Sequence, residues 1–150
     1  IWAGGFSFKQ ITDGYPELKK EREEKRENRR FLGIMDREKR NDIYNIADVF
    51  LLPSYNELFP RALLENCSVG NPFIVRDLSL YDPILPSSAI RAKDIDDFSS
   101  LLQRRKNDKD FYEQGKEVSR EIKRTYSEEN IYQLWKDYYF RIYRKYKEEK

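Results

Sequence analysis

The sequence contains no histidine and a single cysteine, Cys67, in 150 residues. Together these exclude an internal disulfide, a Cys/His zinc site and nucleophilic catalysis by a Ser-His-Asp or Cys-His set. Chemistry is left to carboxylates, backbone amides, Lys, Arg and Tyr. No apolar run approaches the ~18–20 residues of a membrane span, and no charged-then-apolar signal opens the chain. A dominant charge is missing too, since 29 Lys and Arg face 27 Asp and Glu. That near-balance argues against the cationic field of non-specific nucleic-acid binding, so any basic patch is local. One unpaired cysteine and no secretion signal lead to the expectation of a reducing, cytoplasmic compartment. There is no low-complexity linker and no solenoid-type repeat.

What is present is aromatic and charged. Hydrophobic residues make up 39%, aromatic residues 15% and charged residues 37% of the chain. Enough large apolar side chains exist for one core under a highly charged surface, and the length suits one domain. Ile1, Trp2 and Ala3 read as the middle of a strand, without an initiator Met, so a fragment of a longer protein is expected.

The pattern then repeats strand, glycine, helix. Ile1 to Ala3 is a short apolar strand broken by Gly4-Gly5, and a charged, solvated helix follows from about Thr12 to Asn28. Arg30 to Gly33 is a second strand with glycine, followed by a helix from Asp36 with Ile43 and Ile46 as inward residues. Asp48 to Leu52 is a nearly continuous apolar strand stopped by Pro53, as suits a parallel sheet buried on both faces. A helix over Pro60 to Val69, a strand over Pro72 to Val75 and a short strand over Ala89 to Ala92 complete an α/β alternation. Three helices close the chain: from Asp94 through Leu102, from Lys109 to Lys123 and from Glu128 to Lys147.

The informative segment runs from Ala47 to Glu65 and holds two glutamates, Glu57 and Glu65, with seven residues between them. Glu57 falls on the loop leaving a central strand. Pro60 suits the first helical turn, and Glu65 lies further along that helix. Ligands of open parallel sheets bind at such carboxyl ends, and the helix-start amides of Arg61, Ala62 and Leu63 are placed to attract a phosphate. Glu is common on helices, so the pair alone fits many unrelated chains.

The whole segment resembles the signature of retaining family-4 glycosyltransferases of the GT-B fold. In that signature a strand, Pro-Ser, Glu, aromatic-Pro and Glu recur in this order, here as Leu52, Pro53-Ser54, Glu57, Phe59-Pro60 and Glu65. Trp2-Ala3-Gly4-Gly5, Phe31-Leu32-Gly33 and Gly70 to Val75 are similar to the neighbouring strand units of the family. The resemblance implies a Rossmann-like parallel sheet flanked by helices, the C-terminal half of a GT-B enzyme. Its first strand and helix, with an Arg and a Lys for the diphosphate, are expected before Ile1. Residues 1–150 are then one partial donor domain, with 128–147 as a terminal helix.

By the same resemblance Glu65 holds the ribose hydroxyls of a nucleotide sugar, and Glu57 lies at the transferred hexose as the catalytic candidate. Leu58, Phe59, Arg61, Ala62 and Leu63 contact sugar and diphosphate, while Gly5, Gly33 and Ile34 border the donor. The family commonly has Gly where this chain has Leu58, which adds a side chain where the backbone nears the donor sugar. The implied activity is transfer of a hexose, with UDP-glucose as first candidate donor, with retention, no cofactor and no metal. The segments Ile1 to Phe8 and Asp77 to Asp82 are similar to bacterial transferases that glucosylate diacylglycerol.

Cys67 reads as a small buried hydrophobe rather than a nucleophile. Tyr81-Asp82-Pro83 reads equally as ligand contact or turn. The terminal helix carries Ile131, Leu134, Trp135, Tyr138, Tyr139, Ile142, Tyr143 and Tyr146 at helical spacing. Two readings stand for that stripe: packing on an N-terminal acceptor-binding domain, or peripheral contact with an anionic surface on the inner face of the cell membrane. A different class of function, a noncatalytic helical module with a basic arm for nucleic acid or protein partners, accounts for the tail. It leaves the strand-loop-glutamate organisation unexplained. A dinucleotide oxidoreductase needs a Gly-x-Gly-x-x-Gly turn that Gly4 to Phe8 does not supply.

Overall fold

The structure, a computed structural model, describes residues 1–4, 15–24 and 26–148. Their contacts divide into two compact units, Ile1–Ile43 and Tyr44–Lys150. In the first, β1 (Trp2–Ala3) pairs in parallel with β2 (Phe31–Gly33), and the Trp2 and Phe31 rings lie 6.2 Å apart. Helix α1 (Tyr15–Glu23) buries none of its residues, as its alternating charges require. It is shorter than the charged run; Thr12 lies outside the described residues. Helix α2 (Arg37–Ile46) runs across the division between the units.

The second unit is a three-stranded parallel sheet in the order β3 (Phe50–Leu52), β4 (Phe73–Arg76), β5 (Arg91–Ala92). The apolar run of β4 is buried throughout, and its alternation sorts two layers. Phe73 and Val75 join Leu63 and Cys67 of α3 (Arg61–Ser68) and Val118 and Ile122 of α5 (Lys109–Thr125). Ile74 joins Ala92 and Phe98, the latter on α4 (Ile95–Asn107). Buried Phe111, Gly115, Val118, Ser119 and Ile122 trace one face of α5. Asp94 caps α4 by accepting from the Asp97 amide at 2.9 Å, and Asp108 caps α5 by accepting from Phe111 at 3.0 Å. The Phe111 amide and then Arg104 hold the Asp108 carboxyl below its ordinary range.

Two glycines are dictated by this packing. Gly70 follows the end of α3 at φ +83°, a left-handed turn that Gly adopts without Cβ strain. Gly115 lets α5 close on the turn before β4, where a Cβ would come within 2.9 Å of Pro72 Cβ. The same turn is cross-braced: the Asn71 backbone carbonyl accepts from Asn66 Nδ2 at 3.0 Å and from Ser119 Oγ, and the Asn71 side-chain Nδ2 donates to the Tyr44 carbonyl.

Two sequence expectations are corrected here. β3 is not buried on both faces: Phe50 and Leu52 pack toward α3, but Leu51, on the opposite face, stays 39% exposed. Ile46 does not point inward and is 66% exposed. Tyr44 takes the inward face, its ring tilted against that of Phe50 at 6.0 Å, and a residue two places on lies about 200° around the helix.

Helix α6 (Glu128–Glu148) buries none of its residues. Tyr132, Trp135, Tyr138, Tyr139, Ile142 and Tyr143 all stand exposed, and Trp135 stacks on Tyr139 at 5.8 Å. No helix among the described residues is long and apolar enough to cross a membrane.

Candidate functional site

The carboxyl ends of the parallel strands define one edge of the second unit, and β3 delivers its chain there directly. Pro53 stops the strand because it has no N–H for the ladder, and residues 53–60 cross to the start of α3. Asn56, Glu57, Leu58 and Phe59 line an open depression of about 310 Å³ at this crossing. Glu57 is half-buried, Leu58 is 95% exposed and Phe59 meets Tyr126 edge-on at 6.1 Å. The side chain that stands where the family commonly has Gly therefore projects into solvent.

Pro60 caps α3 instead of entering its first turn, with φ −81° and ψ 66° and no side-chain cap. The helix-start amides are less open than the sequence suggests. Arg61 N–H donates to the Phe59 carbonyl at 2.9 Å, and Leu63 N–H to the Pro60 carbonyl at 3.0 Å. The tight turn at Pro60 brings these carbonyls within reach, leaving Ala62 N–H without a backbone partner among the described residues. Arg61 and Ala62 are exposed, whereas Leu63 belongs to the core.

One turn further, Glu65 is half-buried and its Oε2 accepts from the Tyr44 hydroxyl at 3.1 Å. The strand-loop-helix junction thus carries both glutamates on one continuous segment of the second unit. Gly33 ends β2 at φ +70° and Ile34 is exposed beside it, both in the first unit; Gly5 lies outside the described residues.

Three further groups stand at this edge, of which Arg91 and Arg76 escaped the sequence reading. Tyr81, at the end of a 3-10 turn (Ser79–Tyr81), is fully buried and its hydroxyl has no hydrogen-bond partner among the described residues. Burial pushes that hydroxyl up to about 12; the Glu57 carboxylate adds to the rise and Arg91 opposes it. It remains a neutral donor within the field of Glu57. Arg91 pairs with Asp82 at 2.7 Å and Asp77 at 3.5 Å, which gives Asp82 a turn-stabilising partner. Arg76, at the end of β4, is the third, a cation closing an apolar run. That abrupt charge was the available signal.

Burial pushes the Cys67 thiol up to about 11, against a hydrogen bond with Ser119, so it stays neutral, as a core residue should. Among the described residues no three His, Cys, Asp or Glu side chains group as a metal site.

The sequence profile described as Glycosyl transferases group 1 matches residues 13–122. The chain belongs to this family. The match takes in α1 through most of α5, including Glu57 and Glu65. The chain is 43% identical over 143 residues to the alpha-galactosylglucosyldiacylglycerol synthase of Streptococcus pneumoniae (strain ATCC BAA-255 / R6), covering 93% of this chain and 37% of that protein. Its fold matches a sucrose-phosphate synthase from Thermosynechococcus elongatus with a TM-score of 0.70, at 22% identity, over 93% of this chain and 37% of that one. The α/β architecture is therefore that of a GT-B glycosyltransferase. The chain spans 37% of the length of each of these two relatives.

Proposed function

We propose that residues 1–150 are the donor-binding half of a glycosyltransferase that moves a hexose from a nucleoside-diphosphate sugar, with UDP-glucose as first candidate, to an acceptor with retention. The observation that carries this reading is the junction after β3, where a group 1 chain presents half-buried Glu57 and Glu65 on either side of a helix start. Glu65 holds the ribose, Glu57 lies at the hexose, and segment 58–63 borders sugar and diphosphate. Gly33, Ile34 and Gly5 are the further donor-binding candidates.

The acceptor is held by an N-terminal domain, and the reaction runs without a metal or other cofactor. Transfer rests on positioning of the two substrates and on stabilisation of the leaving diphosphate by amides and cations. A lipid acceptor is supported by the glycolipid named in the pneumococcal relative. The reading places the enzyme in the cytoplasm, on the inner face of the membrane. The exposed aromatic face of α6 supports a contact beyond this chain, with the N-terminal domain or with anionic lipid, and vesicle sedimentation of the full-length protein separates those occupants.

The test compares the purified chain and the full-length protein, each incubated with radiolabelled UDP-glucose and diacylglycerol vesicles. Product from the full-length protein alone is the expected result. Equal product from both would show that the 150 residues contain a complete active site. Salt-sensitive RNA binding without sugar-nucleotide binding would favour the noncatalytic module.

A further inference from the structure

Arg76 is 8% exposed, yet among the described residues no carboxylate pairs with it. Its guanidinium instead serves backbone. Nε donates to the Pro53 carbonyl at 2.9 Å and a terminal nitrogen donates to the Lys93 carbonyl at 3.1 Å. Pro53 directly follows β3 and Lys93 directly follows β5, so one side chain from the middle strand ties the ends of all three. Its Cζ also lies 3.9 Å from the centroid of Tyr55 and 5.9 Å from that of Phe98.

A buried cation without an anion is costly, and an apolar side chain at the end of an apolar strand would fill the same space without that cost. What an apolar residue lacks is the fork that takes two carbonyls at once and the charge that attracts a ring. One prong of that fork, at Pro53, and the charge facing Tyr55 are spent on the loop that carries Glu57. That loop buries little of its own: Tyr55 is 75% exposed and Leu58 is 95% exposed. Among the described residues its side-chain attachments are Arg76 at Pro53 and Tyr55, and Tyr126 at Phe59. Glu57 lies between these two anchors.

We propose that Arg76 is a positioning residue that fixes the Glu57 loop by clamping the ends of β3 and β5 and holding the Tyr55 ring. The proposal deepens the transferase reading and depends on it only for the kinetic consequence. A displacement of about 1 Å at a reacting group can cost on the order of 100-fold in rate, so the clamp acts on turnover.

The experiment uses the full-length protein and two readouts. Backbone 15N order parameters at 54–59 are expected to fall from about 0.85 to below about 0.6 in Arg76→Met, with β4 and β5 unchanged. Arg76→Lys, which keeps charge but not the fork, is expected between the two, and Tyr55→Phe at the wild-type value. Kinetically, Arg76→Met is expected to lower kcat by about 10-fold or more with donor KM within about 3-fold, and to cost less than about 2-fold more when Glu57 is already Gln. Unchanged order at 54–59, or order lost equally across the sheet, overturns the clamp. An equal kcat loss with and without Glu57 overturns its action through Glu57 while leaving the transferase reading intact. If Glu57→Gln is fully active, the transferase role of Glu57 fails and the order parameters alone decide the clamp. Should Arg76→Met fail to fold, Tyr55→Ala decides: loosening confined to 54–59 supports the clamp and no loosening overturns it.

Discussion

The Tyr44 hydroxyl donates to Glu65 Oε2 at 3.1 Å, joining α2 to α3 across 21 positions of sequence that include β3 and the Glu57 loop. The bond fixes the direction of the proposed ribose-binding carboxylate before any ligand arrives. Glu65→Gln in the full-length enzyme is expected to weaken UDP and UDP-glucose binding by about 1–2 kcal/mol, because a charge-assisted contact becomes a neutral one. Calorimetric titration measures it, and unchanged affinity for both ligands would remove Glu65 from the site.

Glu57→Gln is expected to act on turnover instead. Its carboxylate lies in the open depression of segment 56–59, and the proposed neighbour is the reacting hexose rather than the nucleotide. Steady-state kinetics with varied donor separates the effects. A rise in donor KM larger than the fall in kcat would contradict this placement.

Cys67 offers a pH test of the core. With its pKa raised from 9.0 to about 11, the native thiol at pH 8 is expected to alkylate at least ~100-fold more slowly than the unfolded one. The raised value means that the stabilisation is fully present below pH 9.0 and is lost as pH climbs through about 11. A two-unit shift corresponds to at most about 3 kcal/mol. Denaturant midpoints between pH 8 and pH 11 should fall, and Cys67→Ala should flatten the slope while lowering the midpoint at pH 8. A slope identical in both proteins would show that other groups carry it.

Gly115→Ala sets helix propensity against packing. Alanine gains about 1 kcal/mol in a helix interior, but its Cβ would lie 2.9 Å from the rigid Pro72 ring and 3.4 Å from Ile90 Cδ1. Overpacking of this kind costs about 1–3 kcal/mol, so a net loss of about 1 kcal/mol is expected in urea unfolding. A more stable variant would mean that α5 shifts away from the Asn71 turn without penalty.

The alternation of apolar runs with glycine and helix-forming segments made the parallel α/β order readable, because each element buries a face whose period is written locally. The glutamate junction was readable for the same reason: strand, Pro53 and helix are contiguous. Tyr44 and Arg76 were not, since each matters through a partner distant in sequence, as with Arg76 and Pro53 across 23 positions. Ile46 misled because its apolar character fits the helix period while Tyr44 competes for the same interior. The exposure of Leu51 depends on what covers its face of the sheet, which strand composition does not encode.

The wholly parallel sheet of the second unit also governs how the chain reaches its fold. With no hairpin among its three strands, neither ladder closes until an intervening segment has crossed back over the sheet. Formation is therefore delayed by loop-closure entropy, and folding is slower than in a helical chain of equal length. During that interval the Phe73-Ile74-Val75 run stands unpaired, an apolar β-forming stretch available to other chains. Arg76 and Asp77 follow it immediately, and Gly70, Asn71 and Pro72 precede it, so polar and turn-forming residues act as gatekeepers at both ends of this aggregation-prone segment.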